Sequence, residues 1–233
     1  MLVYDLGFFN GDDTDYYLRK GCSVVAVEAN TELAESGLRR FSINSDKFTM
    51  LNAVFCNQDN GVAKFYINRD NPECSTCDKD KTKWWDCKPI VKEIPAISLI
   101  YLLTKHGFPN YIKTDIEGFD YLVLEQLLEM RFRPEYLSFE LSRFDYYKTF
   151  SMLYVLGYKK FKLVNQLKNN GKIDRAINYP FGEFHSGLFG EDLFRDGFLN
   201  FDEALTQYMK YKEIKGIDNE NLALGWLDIH ASF

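Results

Sequence analysis

VYDLGFFNGDDTDYYLRKGCSVVAVEAN, residues Val3–Asn30, reads as one β-turn-α-β unit. An apolar run, Leu2–Leu6, ends in a turn punctuated by Gly7 and Gly11. A helical pattern follows from Asp12 to Lys20, and a second apolar run, Ser23–Val27, stops at Glu28. Glycines let a backbone approach a ligand closely. An acid 21 residues after Gly7 stands at the tip of the second strand, where it can accept hydrogen bonds from ribose hydroxyls. The unit therefore points to a nucleoside ligand.

The dinucleotide fingerprint G-x-G-x-x-G is absent. In its place stands Asp5-Leu6-Gly7-x-x-x-Gly11, with Asp12 and Asp13 where the next helix begins. A pyrophosphate at a helix N-terminus wants bare N–H groups and no nearby carboxylates. S-adenosylmethionine (SAM) has no phosphate and carries a sulfonium and an ammonium, so acids near this turn suit it better than NAD. The two acids also serve as helix caps under either reading.

With 233 residues and 46% hydrophobic content, the chain has the size of one domain with a sizeable core. A net charge of −6 argues against a nucleic-acid partner, which would call for a basic footprint. No apolar run reaches membrane-span length. MLVYDLG lacks a charged n-region and an h-region, so no signal peptide is expected and a cytoplasmic location is. The chain enters its first strand almost at once, so the lid over the site is expected from elsewhere. Of five cysteines, Cys22 and Cys56 flank strands, while Cys74, Cys77 and Cys87 share a polar loop with Trp84-Trp85. Three zinc thiolates needing a fourth ligand is the sharp reading. A cysteine-bearing loop tucked onto the body is the plain one.

Strands continue to alternate with helices, which predicts a parallel sheet with right-handed crossovers. Thr31 is expected to cap a helix to Phe41, Phe48–Phe55 to be strand three, and Gly61–Asn68 a strand outside the main order. Val91–Ile97 reads as a short extended run, and Ser98 as the cap of a helix to His106. A strand over Pro109–Thr114 stops at Asp115, and one over Tyr136–Phe139 stops at Glu140. Helices are expected over Phe119–Met130, Phe144–Leu156 and Asp202–Ile214, with strands over Tyr158–Val164 and Gly225–Ser232.

The carboxyl ends of such strands form the ligand crevice of open α/β folds. Asp115, Glu117 and Glu140 therefore gather at one edge with Gly7 and Glu28. They suit a divalent cation such as Mg²⁺, Ca²⁺ or Mn²⁺, or a general base on a hydroxyl. Capping the next helix is the structural alternative for Asp115 and Glu117. Lys113, two residues before Asp115, reads as its structural partner. His230 shares a strand face with Asp228 and reads equally as an oriented base or as a satisfied core histidine. His185 lies in an irregular segment and reads as a substrate contact, whereas His106 ends a helix.

Four segments together resemble the FkbM-type SAM-dependent methyltransferases over roughly Val3–Leu141. They are Asp5-Leu6-Gly7-x-x-x-Gly11-x-x-Thr14, Val27-Glu28-Ala29-Asn30, Asn52-Ala53-Val54, and above all Ile112-Lys113-Thr114-Asp115-Ile116-Glu117-Gly118. The resemblance implies the Rossmann-like class I methyltransferase fold, α/β, with a seven-stranded, mostly parallel sheet whose last strand is antiparallel. It implies SAM as donor and a hydroxyl acceptor, often on a sugar or glycoside. The expected donor-binding residues are Asp5, Gly7, Phe9, Asn10, Gly11, Thr14, Glu28, Ala29, Asn30, Asn52 and Ala53. Asp115 and Glu117 would face the reaction centre with Glu140, and His185 or His230 would assist. Phe8-Phe9 replaces the small residues usual in the turn, and the Cys-rich loop is an elaboration of its own.

If strands six and seven are Tyr158–Val164 and Gly225–Ser232, the sixty residues between them form an insertion starting above the site. His185, Tyr179, Phe181 and Phe184 are then expected to shape the acceptor pocket. The expected acceptor is a small molecule or a glycan; the sequence leaves a homodimer open. Two rival classes are an NAD-dependent dehydrogenase or epimerase, against which stands the absence of G-x-G-x-x-G and of a Tyr-x-x-x-Lys pair in a suitable helix, and a binding module without catalysis.

Overall fold

The computed structural model describes residues 1–59, 61–141, 146–217 and 227–233, without the side chains of residues 84 and 212–217. Expectations that fall on Phe144, Gly225 and Trp226 lie outside the described residues. The chain opens with β1 (Leu2–Leu6), α1 (Asp12–Arg19), β2 (Ser23–Glu28), α2 (Thr31–Arg40) and β3 (Phe48–Asn52). It continues with β4 (Val54–Phe55), β5 (Val62–Ile67), β6 (Ile90–Ile97), α3 (Leu99–His106) and β7 (Tyr111–Thr114). Next come α4 (Tyr121–Met130), β8 (Tyr136–Glu140), α5 (Tyr146–Val155) and β9 (Lys160–Asn165). The last part holds β10 (Ile173–Asp174), β11 (Tyr179–Pro180), α6 (Gly190–Phe194), α7 (Phe201–Ile217) and β12 (Leu227–Ser232).

Seven strands form one sheet in the order β3-β2-β1-β7-β8-β12-β9. All neighbours are parallel except those of β12, which runs antiparallel to β8 and β9. This is the expected Rossmann-like order with its reversal at the last strand. The central strands are buried on both faces because helices cover both. Tyr4, Leu6, Val25, Val27 and Ile112 pack on one side with Leu99, Leu102 and Leu124. Val3, Val24, Ala26 and Tyr111 pack on the other with Tyr16 and Tyr17 of α1. Burial of such side chains contributes about 1.5–3 kcal/mol each.

Two expectations are corrected, and a third, the extended run Val91–Ile97, is borne out and gains partners. Phe48–Phe55 is two strands, because the chain leaves the main sheet at Ala53 and Val54–Phe55 then pairs with β6. Val91–Ile97 is the centre of a second, three-stranded sheet, β4-β6-β5, with six β5–β6 residue pairs. The cap of α2 is Asn30, not Thr31: its side chain accepts from Glu32 N. Ser98 does cap α3, accepting from Tyr101 N at 3.2 Å.

Residues 179–189, between β9 and β12, pack against α1 through aromatic contacts. The Tyr16 ring meets Tyr179 at 5.1 Å and Phe181 at 4.9 Å. Asp13 and Asp15 of α1 hold this segment rather than cap their own helix, while Asp12 pairs with Asn10 and Arg40. Asp13 accepts from Ser186 N and Oγ, at 2.9 and 2.6 Å, and Asp15 accepts from Tyr179 Oη at 2.9 Å. No helix among the described residues is long and apolar enough to cross a membrane.

Candidate active site

The carboxyl ends of β1, β2, β7 and β8 open onto a cavity of about 190 Å³. Its geometry begins at Gly7. Gly7 has φ of +89°, and a Cβ there would lie 1.8 Å from the Asp115 carbonyl oxygen. Only glycine lets the first turn and the β7 turn meet. Phe9 follows at φ of +50°, uncommon for a residue with a side chain, and its ring borders the cavity.

Glu28 lies at the cavity wall and is held in place. Its Oε2 accepts from Phe9 N at 2.8 Å and its Oε1 from Asn30 N at 2.7 Å. Each oxygen keeps a second acceptor site. Burial pushes the carboxyl up to about 7, against the pull of those two N–H groups. Asn52 Nδ2 donates to the backbone oxygens of Glu28 and Ala29, so Asn52 braces the strand tip. Beyond Glu28 the wall turns apolar, with Ala29, Leu33, Ala53, Val54 and Phe55.

The opposite end is acidic. Asp115, Glu117 and Glu140 offer carboxylate oxygens within 4.8 Å of one another. Among the described residues this is the only group of three such side chains, so Cys74, Cys77 and Cys87 are not gathered for zinc. Cys74 and Cys77 border the cavity instead, while Cys87 Sγ donates to Asn68 Oδ1 at 3.1 Å. Burial and the neighbouring Asp115 charge raise Glu117 to about 7. Burial, Asp115 and Glu117 raise Glu140 well above the carboxylate range. Asp120 holds the turn, accepting from Ile116 N and Gly118 N at 3.1 and 3.2 Å. Glu117 and Asp115 are thereby released from capping and face the cavity.

Lys113 is more than a partner of one acid. Its buried Nζ lies 3.7 Å from Asp5, 3.9 Å from Asp13 and 3.7 Å from Asp115, and donates to Gly7 O at 3.0 Å. Burial alone would push the ammonium down, but the three carboxylates hold it above its ordinary range.

The other expected residues divide plainly. Gly7, Phe9, Asn10, Glu28, Ala29 and Ala53 border the cavity. Asp5, Gly11, Thr14, Asn30 and Asn52 stand behind it; Thr14 Oγ1, for example, donates to the buried Asp5 at 2.6 Å. Phe184 borders the cavity, whereas Tyr179 and Phe181 are buried against α1. Neither histidine borders it. His185 has both ring nitrogens engaged, with Gly182 N and Tyr179 Oη. His230 is 1% exposed, and burial lowers it to about 3, so it is neutral. Asp228 forms no hydrogen bond with it: Asp228 Oδ2 accepts from Gln166 Nε2 at 2.8 Å, and Asp228 Oδ1 and His230 Nε2 are both buried without a hydrogen-bond partner among the described residues. Trp85 does not border the cavity, and the Trp84 side chain lies outside the described residues.

Sequence reasoning missed Lys81, whose Nζ lies 3.4 Å from Glu117 Oε2. It missed Thr76 as well, whose Oγ1 donates to Glu117 O at 2.9 Å. Both bring the Cys-rich loop onto the acidic end, and no local spacing signals contacts 36 and 41 residues apart.

No curated protein matches the chain. The family model described as the methyltransferase FkbM domain matches residues 5–173, which is well over half of the chain and includes every cavity-lining segment except Phe184. Its match extends past the Val3–Leu141 stretch on which the resemblance rests. The chain therefore belongs to the FkbM methyltransferase family.

Proposed function

We propose that the protein is a SAM-dependent O-methyltransferase acting on a hydroxyl of a sugar, sugar nucleotide or glycan. The carrying observation is one cavity that joins Glu28 and its apolar neighbours to the Asp115, Glu117 and Glu140 end.

The residues present fit SAM chemically. Glu28 offers free acceptor sites for ribose hydroxyls, and Leu33, Ala53, Val54 and Phe55 offer an apolar slot for a flat base. Asp13 and Asp115 bring negative charge to the side where an ammonium and a sulfonium would lie, and no lysine on that wall is without a carboxylate partner. Bound SAM supplies an electrophilic methyl group. The chain's own part is to orient a hydroxyl and take its proton. Glu117, raised to about 7, is placed for that role beside Asp115. In a metal-assisted version, Asp115, Glu117 and Glu140 would hold Mg²⁺ or Mn²⁺, which lowers a hydroxyl's pKa. We read the chain as one catalytic unit, with residues 165–225 forming the cover of the site.

Calorimetry with S-adenosylhomocysteine (SAH) and NAD⁺ tests the donor. Micromolar SAH affinity without NAD⁺ binding is expected, and NAD⁺ binding alone would favour a dehydrogenase. Glu28→Gln is expected to weaken SAH about 10–100-fold, the usual worth of hydrogen bonds to a charged group. Unchanged affinity would remove Glu28 from the ribose site. Chelation tests the cation: full activity in excess EDTA would leave the carboxylate base and sink the metal version.

A further inference from the structure

We propose that His185 is a positioning residue that aims Phe184 onto Phe9 and so closes the donor pocket. This rests on the donor reading above. Phe184 borders the cavity from the turn between β11 and α6, and its ring meets the Phe9 ring edge-on at 5.4 Å. Phe9 needs such support. Its φ of +50° is disfavoured for a residue with a Cβ, yet its N–H must reach Glu28 Oε2. A ring packed on Phe9 favours the conformation that fixes Glu28.

The turn bearing Phe184 is closed by His185. Gly182 N donates to His185 Nδ1 at 2.8 Å, so Nδ1 carries no proton. Nε2–H therefore faces Tyr179 Oη at 3.0 Å, and Tyr179 O–H donates to Asp15 Oδ2 at 2.9 Å. The polar run ends on α1. Two further ties hold the segment just after it. Asn169 Nδ2 donates to the backbone oxygens of His185 and Ser186, at 3.2 and 2.9 Å, and Ser186 bonds Asp13 twice. With both nitrogens in use, His185 serves the site through Phe184 rather than by touching substrate.

Two conservative variants separate the two bonds. An Asn side-chain oxygen falls near the Nδ1 position and can accept from Gly182, whereas Gln reaches toward the Nε2 position and Tyr179. SAH calorimetry and amide hydrogen exchange of the 179–187 stretch are measured on wild type, His185→Asn, His185→Gln, His185→Ala and Phe184→Ala. His185→Ala, His185→Gln and Phe184→Ala are expected to weaken SAH about five- to tenfold, the scale of one aromatic contact. His185→Asn is expected to stay within about twofold of wild type, since the Gly182 bond survives. Exchange at the Gly182 amide is expected to be fast in the Ala and Gln variants and slow in wild type and Asn. Equal loss in His185→Asn and His185→Ala would overturn the role of the Gly182 bond. Wild-type affinity in Phe184→Ala would overturn the closure itself, and that variant leaves the turn's hydrogen bonds intact. If wild type binds no SAH, the donor reading fails, and the exchange arm still decides whether His185 sets the turn.

Discussion

Glu117→Gln is expected to lower kcat by about 10²–10³-fold, the range of a positioned general base or its equivalent. SAH affinity is expected to stay within about threefold, because Glu117 lies at the acidic end and bonds Thr76 and Lys81, whereas Glu28 is held by Phe9 and Asn30. The assay is SAH release with hydroxyl acceptors drawn from a panel of glycosides. Burial and the Asp115 charge raise the Glu117 carboxyl to about 7. Only its ionised form accepts a proton or holds a cation. Wild-type rate should therefore climb as pH rises through about 7, and the climb should vanish in the Gln variant. An unchanged rate, or an unchanged pH profile at a lower rate, would take Glu117 out of the chemistry.

The same carboxyl has a consequence for stability, and its sign is opposite. A folded-state value near 7 lies above the unfolded value of about 4.3, so the native state binds more protons across that window. Its contribution is full below the unfolded value and is lost as pH rises toward about 7. Glu117→Gln should then melt no lower than wild type at about pH 8, because the neighbouring Asp115 charge loses a repulsive partner. Function and stability pull apart at this residue, as expected where charges are held together for chemistry.

Much of this site was readable because strand ends are local features. Leu2–Leu6, Ser23–Glu28, Tyr111–Thr114 and Tyr136–Glu140 are apolar runs that stop at Gly7, Glu28, Asp115 and Glu140, and parallel pairing brings those stops to one edge. Turn chemistry at Gly7 and Gly11 was equally local. The side sheet was readable only in part: β5 matches the strand expected outside the main order, but its pairing with β6 and β4 had no signal. Pro95 argues against a central strand, yet it pairs with Val62 near the end of β6, where a missing N–H is tolerated. For His230 the sequence left two readings open, an oriented base or a core histidine, and burial agrees with the second. Period-two alternation correctly set Asp228 and His230 on one face. What alternation cannot show is the row made across neighbouring strands, Asp5–Lys113–Ser138–His230, which places His230 in the sheet interior. Contacts such as Asp13–Ser186, 173 residues apart, have no sequence periodicity behind them.

Lys113→Met is expected to be the most destabilising of these substitutions. Removing one member of a buried ion pair costs about 3–5 kcal/mol, since the remaining charge is left uncompensated. Here Asp5, Asp13 and Asp115 all lose their shared cation, and Gly7 O loses its donor. For a chain of this size the melting temperature should fall by about 10 °C or more at pH 8. The pH dependence identifies the cause. Even with Lys113 beside it, burial raises Asp5 to about 6, above its unfolded value of about 3.9. Without the cation it should rise further, so the variant's native state holds its proton to higher pH. The deficit of Lys113→Met should therefore widen as pH climbs from about 5 to about 8 and narrow on acidification, when Asp5 is neutral in both proteins. A deficit independent of pH would mean that lost packing of the lysine stem, rather than stranded carboxylates, sets the cost. A variant that melts with wild type at pH 8 would show that the cluster needs no cation. The link to function is direct, because the same ammonium joins Gly7 O to Asp115. A loss of SAH affinity beyond that of Glu117→Gln is expected, since the first turn and the β7 turn meet at this one buried charge.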